Sequence, residues 1–255
     1  INGSEYPSVT TILGILEKPA LVKWAVNMFK EYLLKNREQI PSDKEEFEKF
    51  LETAKEHYNE ISDEAKDVGT ITHELVENYI KYGRDAVGEI PEQAQNAFLA
   101  FLEWEKEHKV KWIASELAVY DEETGYAGTI DIVAKIDTVV IIPDIKTSKA
   151  IYDEYPVQAS AYLHAYNKLV DSGHFNLPKA EATGILRLDK KTGLPEWKNY
   201  LFQRGGFEKF HEKKINYFKS LCQTWYLQKD RRLKNNPVVE RIQMKKLDNS
   251  SAIIA

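Results

Sequence analysis

Residues 111–146, KWIASELAVYDEETGYAGTIDIVAKIDTVVIIPDIK, contain three β-rich runs at 111–120, 127–136 and 139–146. The turn-rich segment 121–125 and the dipeptide Asp137-Thr138 separate them, which predicts an antiparallel meander. Opposed residues of an antiparallel hairpin have residue numbers of constant sum. Centring the second turn between Asp137 and Thr138 sets that sum at 275 and puts Asp131 opposite Asp144. Centring the first between Glu123 and Thr124 sets it at 247 and puts Glu116 opposite Asp131. Three acids then form one row across three strands, with neighbouring Cβ atoms about 5 Å apart. Like charges so placed destabilise a sheet and cannot all stay ionised unless a cation sits among them, so the row predicts a divalent metal. The strand period of two puts Lys146 on the face of Asp144 and turns Ile145 into the core.

Helical periodicity surrounds the meander. Residues 8–35 read as two helical pieces broken at Pro19, 43–61 as a charged amphipathic helix starting near Ser42, and 62–82 as a helix stopped by Gly83. Pro91 opens a further helix to about His108, with Ala94, Ala97, Phe98, Phe101, Leu102 and Trp104 at helical spacing. Beyond the meander, Pro156 starts a helix to about Val170, two strands at 181–189 and 197–203 flank the turn 191–195, and a long helix runs from Phe207 to about Leu233. The order helix, three strands, helix, strand predicts an α/β fold of mixed α+β type, with a central mixed sheet flanked by helices. Three segments are expected within one compact unit: 1–61 as an N-terminal helical extension, 62–206 as the core, and 207–255 as a C-terminal helix and basic tail.

Composition narrows the chemistry. The 255 residues are 43% hydrophobic and 29% charged, ordinary for a globular protein, and they include no repeat or low-complexity tract. A single cysteine, Cys222, excludes an internal disulfide, a four-cysteine zinc site and an iron–sulfur cluster, and predicts a reducing compartment. The longest aliphatic run, Val139–Ile142, is far short of the roughly 18 residues of a membrane span, and no basic-then-apolar leader opens the chain. A soluble cytoplasmic protein is expected, with a few residues preceding Ile1. The formal charge of -5 is unevenly spread. Between Glu38 and Asp67, 11 acids face 4 lysines, so the rest of the chain is net positive. Near the end, Lys229, Arg231, Arg232, Lys234, Arg241, Lys245 and Lys246 form a basic stripe. Trp225 and Tyr226 beside it could stack on bases, although aromatics in a long helix more often face a core. His73-Glu74-x-x-Glu77 lacks the second histidine of the zinc-protease helix, and no Gly-x-x-x-x-Gly-Lys loop is present, so neither that protease nor a nucleotide-driven motor is expected.

Four separated motifs, Gly69-x-x-x-His73, Gly128-Thr129-Ile130-Asp131, Asp144-Ile145-Lys146-Thr147-Ser148-Lys149 and Gln158-x-x-x-Tyr162, agree in order with one family. Together they resemble the RecB-like branch of the PD-(D/E)XK nucleases, which includes phage exonucleases and the mitochondrial genome maintenance exonuclease. The likeness covers about 69–162, and the opening Tyr6-Pro7-Ser8-Val9-Thr10 is similar as well. It implies a restriction-endonuclease-like core, with Asp131 and Asp144 in the two acidic positions of the family name. It also implies that His73, Asp131, Asp144 and the Ile145 carbonyl bind Mg²⁺ or Mn²⁺, that Lys146 positions or helps deprotonate the attacking water, and that Glu116 acts less directly, through water. An imidazole among carboxylates suits Mn²⁺ better than Mg²⁺. Gln158, Tyr162, Thr147 and Lys149 are implied nucleic-acid contacts, although Gln158 and Tyr162 also fit a core-facing helix and Lys149 a plain surface lysine. The implied activity is a phage or bacterial exonuclease of recombination or repair that acts on linear DNA ends, with or without a recombination partner protein. A structure-specific endonuclease and a non-catalytic DNA-binding subunit are the alternatives.

Overall fold

The computed structural model describes residues 5–203 and 205–235. Helices α1 (Val9–Leu13), α2 (Pro19–Lys35), α3 (Lys44–Tyr82) and α4 (Glu92–Glu107) precede strands β1 (Val110–Asp121), β2 (Tyr126–Ile136) and β3 (Val139–Lys146). Helix α5 (Tyr155–Asp171), strands β4 (Ala182–Leu188) and β5 (Pro195–Asn199) and helix α6 (Phe207–Asn235) complete the order. The described residues are therefore mixed α/β, with a five-stranded sheet in the order β1-β2-β3-β4-β5, its strands antiparallel except for the parallel pair β3–β4.

Helix α3 differs from the two helices expected at 43–61 and 62–82, because it runs unbroken for 39 residues. Ser62-Asp63 is a helix-start signal, but no Gly or Pro lies between Pro41 and Gly69, so nothing stops the hydrogen-bond ladder there. Its cap is also one residue later than expected: Asp43 Oδ1 accepts the N–H groups of Glu45 at 2.9 Å and Glu46 at 3.1 Å. Gly83, at φ +84°, ends the helix, since a left-handed residue at that position is cheap only for glycine.

The chain divides into two compact units. One spans Leu16–Ile71. It is held by Trp24 against Tyr58, with ring centroids 5.3 Å apart, and by Tyr32 against Phe50 and His57. Its acids are largely exposed and tied in short-range pairs such as Glu45–Lys49 and Asp63–Lys66, which add little stability.

The other unit takes in the described residues up to Ile15 and from Thr72 onward. Helix α5 lies across the sheet and buries Val157, Ala159, Ala161, Leu163, Ala165 and Tyr166, the alanines allowing close approach. Ile185 of β4 packs on Ala159, so this face of β4 belongs to α5. Helix α4 contacts β4 and β5, setting the fully buried Trp104 edge-on to Trp197 of β5 and Phe101 flat against Trp112 of β1. Gly184 is required beneath that aromatic layer, because a Cβ there would sit 2.1 Å from the Trp197 ring. Among the described residues no helix is long and apolar enough to cross a membrane.

Asp121, 2% exposed at the end of β1, ties the meander to α5. It accepts from Thr124 at 2.6 Å, pairs with Lys168 at 2.5 Å and lies 3.5 Å from His164. Burial opposes its ionisation, yet His164, Lys168 and Thr124 together hold the carboxyl well below the usual range. Because the folded-state pKa is depressed, this stability is present above the ordinary carboxylate pKa and is lost as pH falls through the lowered value. Asp121→Asn should therefore cost about 2 kcal/mol near neutral pH, the scale of a hydrogen bond to a charged group, and the difference from wild type should shrink in acid. Urea unfolding at several pH values reads both; a variant as stable as wild type at neutral pH would remove this anchor.

Candidate metal centre

The expected strand registers hold next to both turns. Residues Ser115 to Asp121 of β1 oppose Ile132 to Tyr126 of β2 with the sum of 247, and Ala134–Ile136 oppose Ile141–Val139 with the sum of 275. Pairing of β2 with β3 stops there, whereas β3 stays in parallel register with β4 from Ile141↔Ala182 to Lys146↔Arg187. Asp131 and Asp144 are thus not ladder partners; they lie on the two arms of a fork. Asp131 spans it with a side chain, its Oδ2 accepting the Ile145 N–H at 2.8 Å.

The other oxygen of Asp131, Oδ1, lies 3.4 Å from Nδ1 of His73 on α3. Glu116 is the third member of the group. A ligand atom of each of His73, Glu116 and Asp131 lies within 4.8 Å of the other two, and this is the one cluster among the described residues able to hold a metal ion. Glu116 has φ of 53°, a left-handed conformation that is uncommon for a residue with a side chain and that clusters at functional positions. It falls between the ladder pairs Ser115↔Ile132 and Leu117↔Ile130 and is itself unpaired in the register.

Asp144, 2% exposed, lies outside that three-residue group. Its Oδ2 pairs with Lys146 at 2.6 Å, off the line of a hydrogen bond. The Lys146 ammonium also lies 5.2 Å from the centroid of the Tyr155 ring, so it is held between a carboxylate and an aromatic face. Ile145 turns its buried side chain to the face opposite these two residues, as the strand period requires.

The electrostatics follow from crowding. Burial, then Asp131 and Glu77, push the Glu116 carboxyl up to about 7. Burial also raises Asp144, and although Lys146 opposes this, Asp131 adds to it and the carboxyl sits at about 6. Burial acts against charge on Asp131 as well, but His73, Lys146 and the Ile145 N–H outweigh it and keep that group below the ordinary range. His73 is raised, since Asp131 outweighs the effect of its burial. Lys146 is likewise raised, because Asp144 and Asp131 overcome its desolvation.

Sequence reading missed two neighbours. Glu77 and Lys81 follow His73 at intervals of four on one face of α3 and form a 2.6 Å pair, and both act on Glu116. The i, i+4 spacing was visible, but nothing local shows that this helix face meets β1. Gln158 and Tyr162 share a face of α5 as expected; Gln158 Nε2 donates to the Tyr162 hydroxyl at 3.0 Å, and at 7% and 5% exposure both lie under the site rather than on the surface. Gly128 makes room for Tyr162, since a Cβ there would stand 2.6 Å from its ring. Thr147 is half-buried and Lys149 exposed in the loop after β3. Tyr226 donates to the Gly125 carbonyl at 2.6 Å, which ties α6 to the β1–β2 turn, and Trp225 carries Lys229 over its ring. Arg241, Lys245 and Lys246 of the basic stripe lie outside the described residues, as do the side chains of Arg231, Arg232 and Lys234.

Compared with protein-family models and with curated proteins, the chain matches none.

One imidazole and two carboxylates that converge, repel each other and are partly withdrawn from water fit a divalent cation. Glu116→Gln should accordingly stabilise chelator-treated protein by up to about 1 kcal/mol, the scale of a removed like-charge contact in a sheet, while weakening stabilisation by added divalent metal. Urea midpoints with EDTA and with metal test both; a variant that is less stable without metal would show that the carboxylate serves the fold rather than an ion.

Proposed function

We propose that this protein is a metal-dependent deoxyribonuclease of the RecB-like PD-(D/E)XK type, built on a restriction-endonuclease-like core and acting as an exonuclease on linear DNA ends. The observation that carries this reading is the fork between β2 and β3, where the His73–Glu116–Asp131 group is joined through Asp131 to the strand bearing Asp144 and Lys146. A protein that only bound DNA would gain nothing from buried, mutually repelling carboxylates beside an amine.

His73, Glu116 and Asp131 would hold Mn²⁺ or Mg²⁺, with Asp144 and the Ile145 carbonyl as the further ligands that the resemblance implies. Such an ion, when bound, supplies a lowered pKa to water and neutralises charge that develops on phosphate. The imidazole favours Mn²⁺, and with a single cysteine the chain has no thiolates for an iron–sulfur cluster. Lys146, held by Asp144 and Tyr155, carries a fixed positive charge that orients the attacking water and stabilises the negative charge gathering on the phosphoryl oxygens. Water oxygen bonds to phosphorus as the bond to the 3′-oxygen breaks, the departing oxygen takes a proton, and the products carry a 5′-phosphate and a 3′-hydroxyl. Within α5, Gln158 fixes the hydroxyl of Tyr162, whose ring packs closely over Gly128 of β2.

End-labelled linear DNA with Mn²⁺ should release nucleotides or short oligonucleotides, and EDTA should abolish release. Asp131→Asn and Lys146→Ala should each lower the rate at least about 100-fold, the scale for loss of one preorganised charge, with circular dichroism unchanged. Closed circular DNA should persist far longer than linear DNA. Equal cutting of both forms would turn the assignment to an endonuclease, and EDTA-resistant degradation would end it.

A further inference from the structure

Helix α6 meets α5 along a seam that is apolar over most of its length and polar at one end. Ile215, Phe218 and Cys222 are buried on one face of α6, and Phe218 stands edge-on to Tyr126, whose hydroxyl donates to the Ala161 carbonyl of α5. His211 precedes Ile215 by four residues and so begins the same face. Its ring centroid lies 6.5 Å from that of His164 on α5, and Ser160 stands one turn before His164. Ser160 Oγ, His164 Nε2 and His211 Nδ1 are all buried, and none makes a hydrogen bond. A buried polar atom without a partner forfeits its bonds to water. Opening the seam returns all three to solvent, so this end of it is the weak point of the α5–α6 contact.

The charges round the two imidazoles are uneven. On the α5 side, Asp121 Oδ2 lies 3.5 Å from His164 Nε2, and Lys168 pairs with both Asp121 and Glu123. On the α6 side, His211 stacks on Phe207, with centroids 5.8 Å apart, while Lys214 is turned to Phe210 and Glu208 and Glu212 are exposed. Helix α1, which also contacts α6, carries no ionisable side chain, and Tyr126 and Cys222 lie farther along the seam. A proton on His164 thus meets a carboxylate, whereas a proton on His211 meets the imidazole of His164 and the ammonium of Lys219. Burial, then these two neighbours, push the His211 imidazole down to about 4. That lies below the ordinary histidine value of about 6.5, so the closed seam is fully stable above the ordinary value and weakens as pH falls from it toward the lowered one.

We propose that Ser160, His164 and His211 form a proton-sensitive latch: in mild acid His211 takes up a proton and α6 lifts from α5 while the sheet stays folded. The latch is independent of the nuclease reading. It bears on the site all the same, because α5 carries Gln158 and Tyr162 beneath the metal centre.

Cys222, the single cysteine, is 1% exposed on α6 and reports the opening. The full chain is treated between pH 8 and 5 with 4,4′-dithiodipyridine, which reacts with thiols in acid as well as at neutral pH. Each rate is divided by that of the same protein unfolded in urea at that pH, and the quotient is the open fraction. It should be level above pH ~7 and rise toward about tenfold per pH unit below about 6, since opening takes up one proton. It should also exceed, by at least about tenfold, the globally unfolded fraction from urea titrations followed by circular dichroism. His211→Asn, which stays polar but takes no proton, and His211→Phe, which keeps the stack on Phe207, should both remove the rise. His57→Asn in the other unit should keep it. A wild-type open fraction that does not change with pH, a rise that persists in both His211 variants, or a thiol that reacts only on global unfolding would each overturn the latch.

Discussion

Where β2 and β3 part, the Asp131 carboxylate takes the Ile145 N–H at 2.8 Å, and the whole site depends on that bond. A buried strand N–H must find an acceptor. Strand β3 keeps β4 along one edge as far as Lys146, while on its other edge main-chain pairing with β2 ends at Ile141, and a side-chain oxygen stands in for the missing main-chain carbonyl. One residue thereby does two jobs: Oδ2 holds the fork at its chosen opening, and Oδ1 faces His73. Removing the carboxylate removes both together.

The fork explains why a sheet tolerates so much negative charge. In a regular ladder, Glu116, Asp131 and Asp144 would stand in one row at close spacing. Here Asp144 is drawn off to Lys146, Asp131 is tied to a backbone donor and an imidazole, and Glu116, left-handed in its backbone, drops out of the ladder pairing. The remaining conflict is concentrated on Glu116, whose carboxyl is pushed up to about 7 by burial and by Asp131 and Glu77. Strain of this kind persists only where surrounding structure enforces it, and Leu117 and Ile130, fully buried as ladder partners beside it, provide that enforcement.

Much of this was legible in local sequence, for physical reasons that also mark the limit. Turn residues set hairpin registers over short range, so the sums 247 and 275 hold beside both turns. They stop holding farther from the turn, where contacts distant in sequence also set the course of the strands: β4 lies some 40 residues downstream of β3, and no period in β3 announces that it will pair parallel with Ala182–Leu188. The Asp131–Asp144 ladder pair therefore became a fork. The join of 43–61 to 62–82 was misjudged for the opposite reason, since a start signal at Ser62 was read without a stop signal before it. His73, Asp131, Asp144 and Lys146 stand out in the sequence because each belongs to a short motif, whereas Glu77 and Lys81 meet Glu116 only through the packing of a helix on a strand.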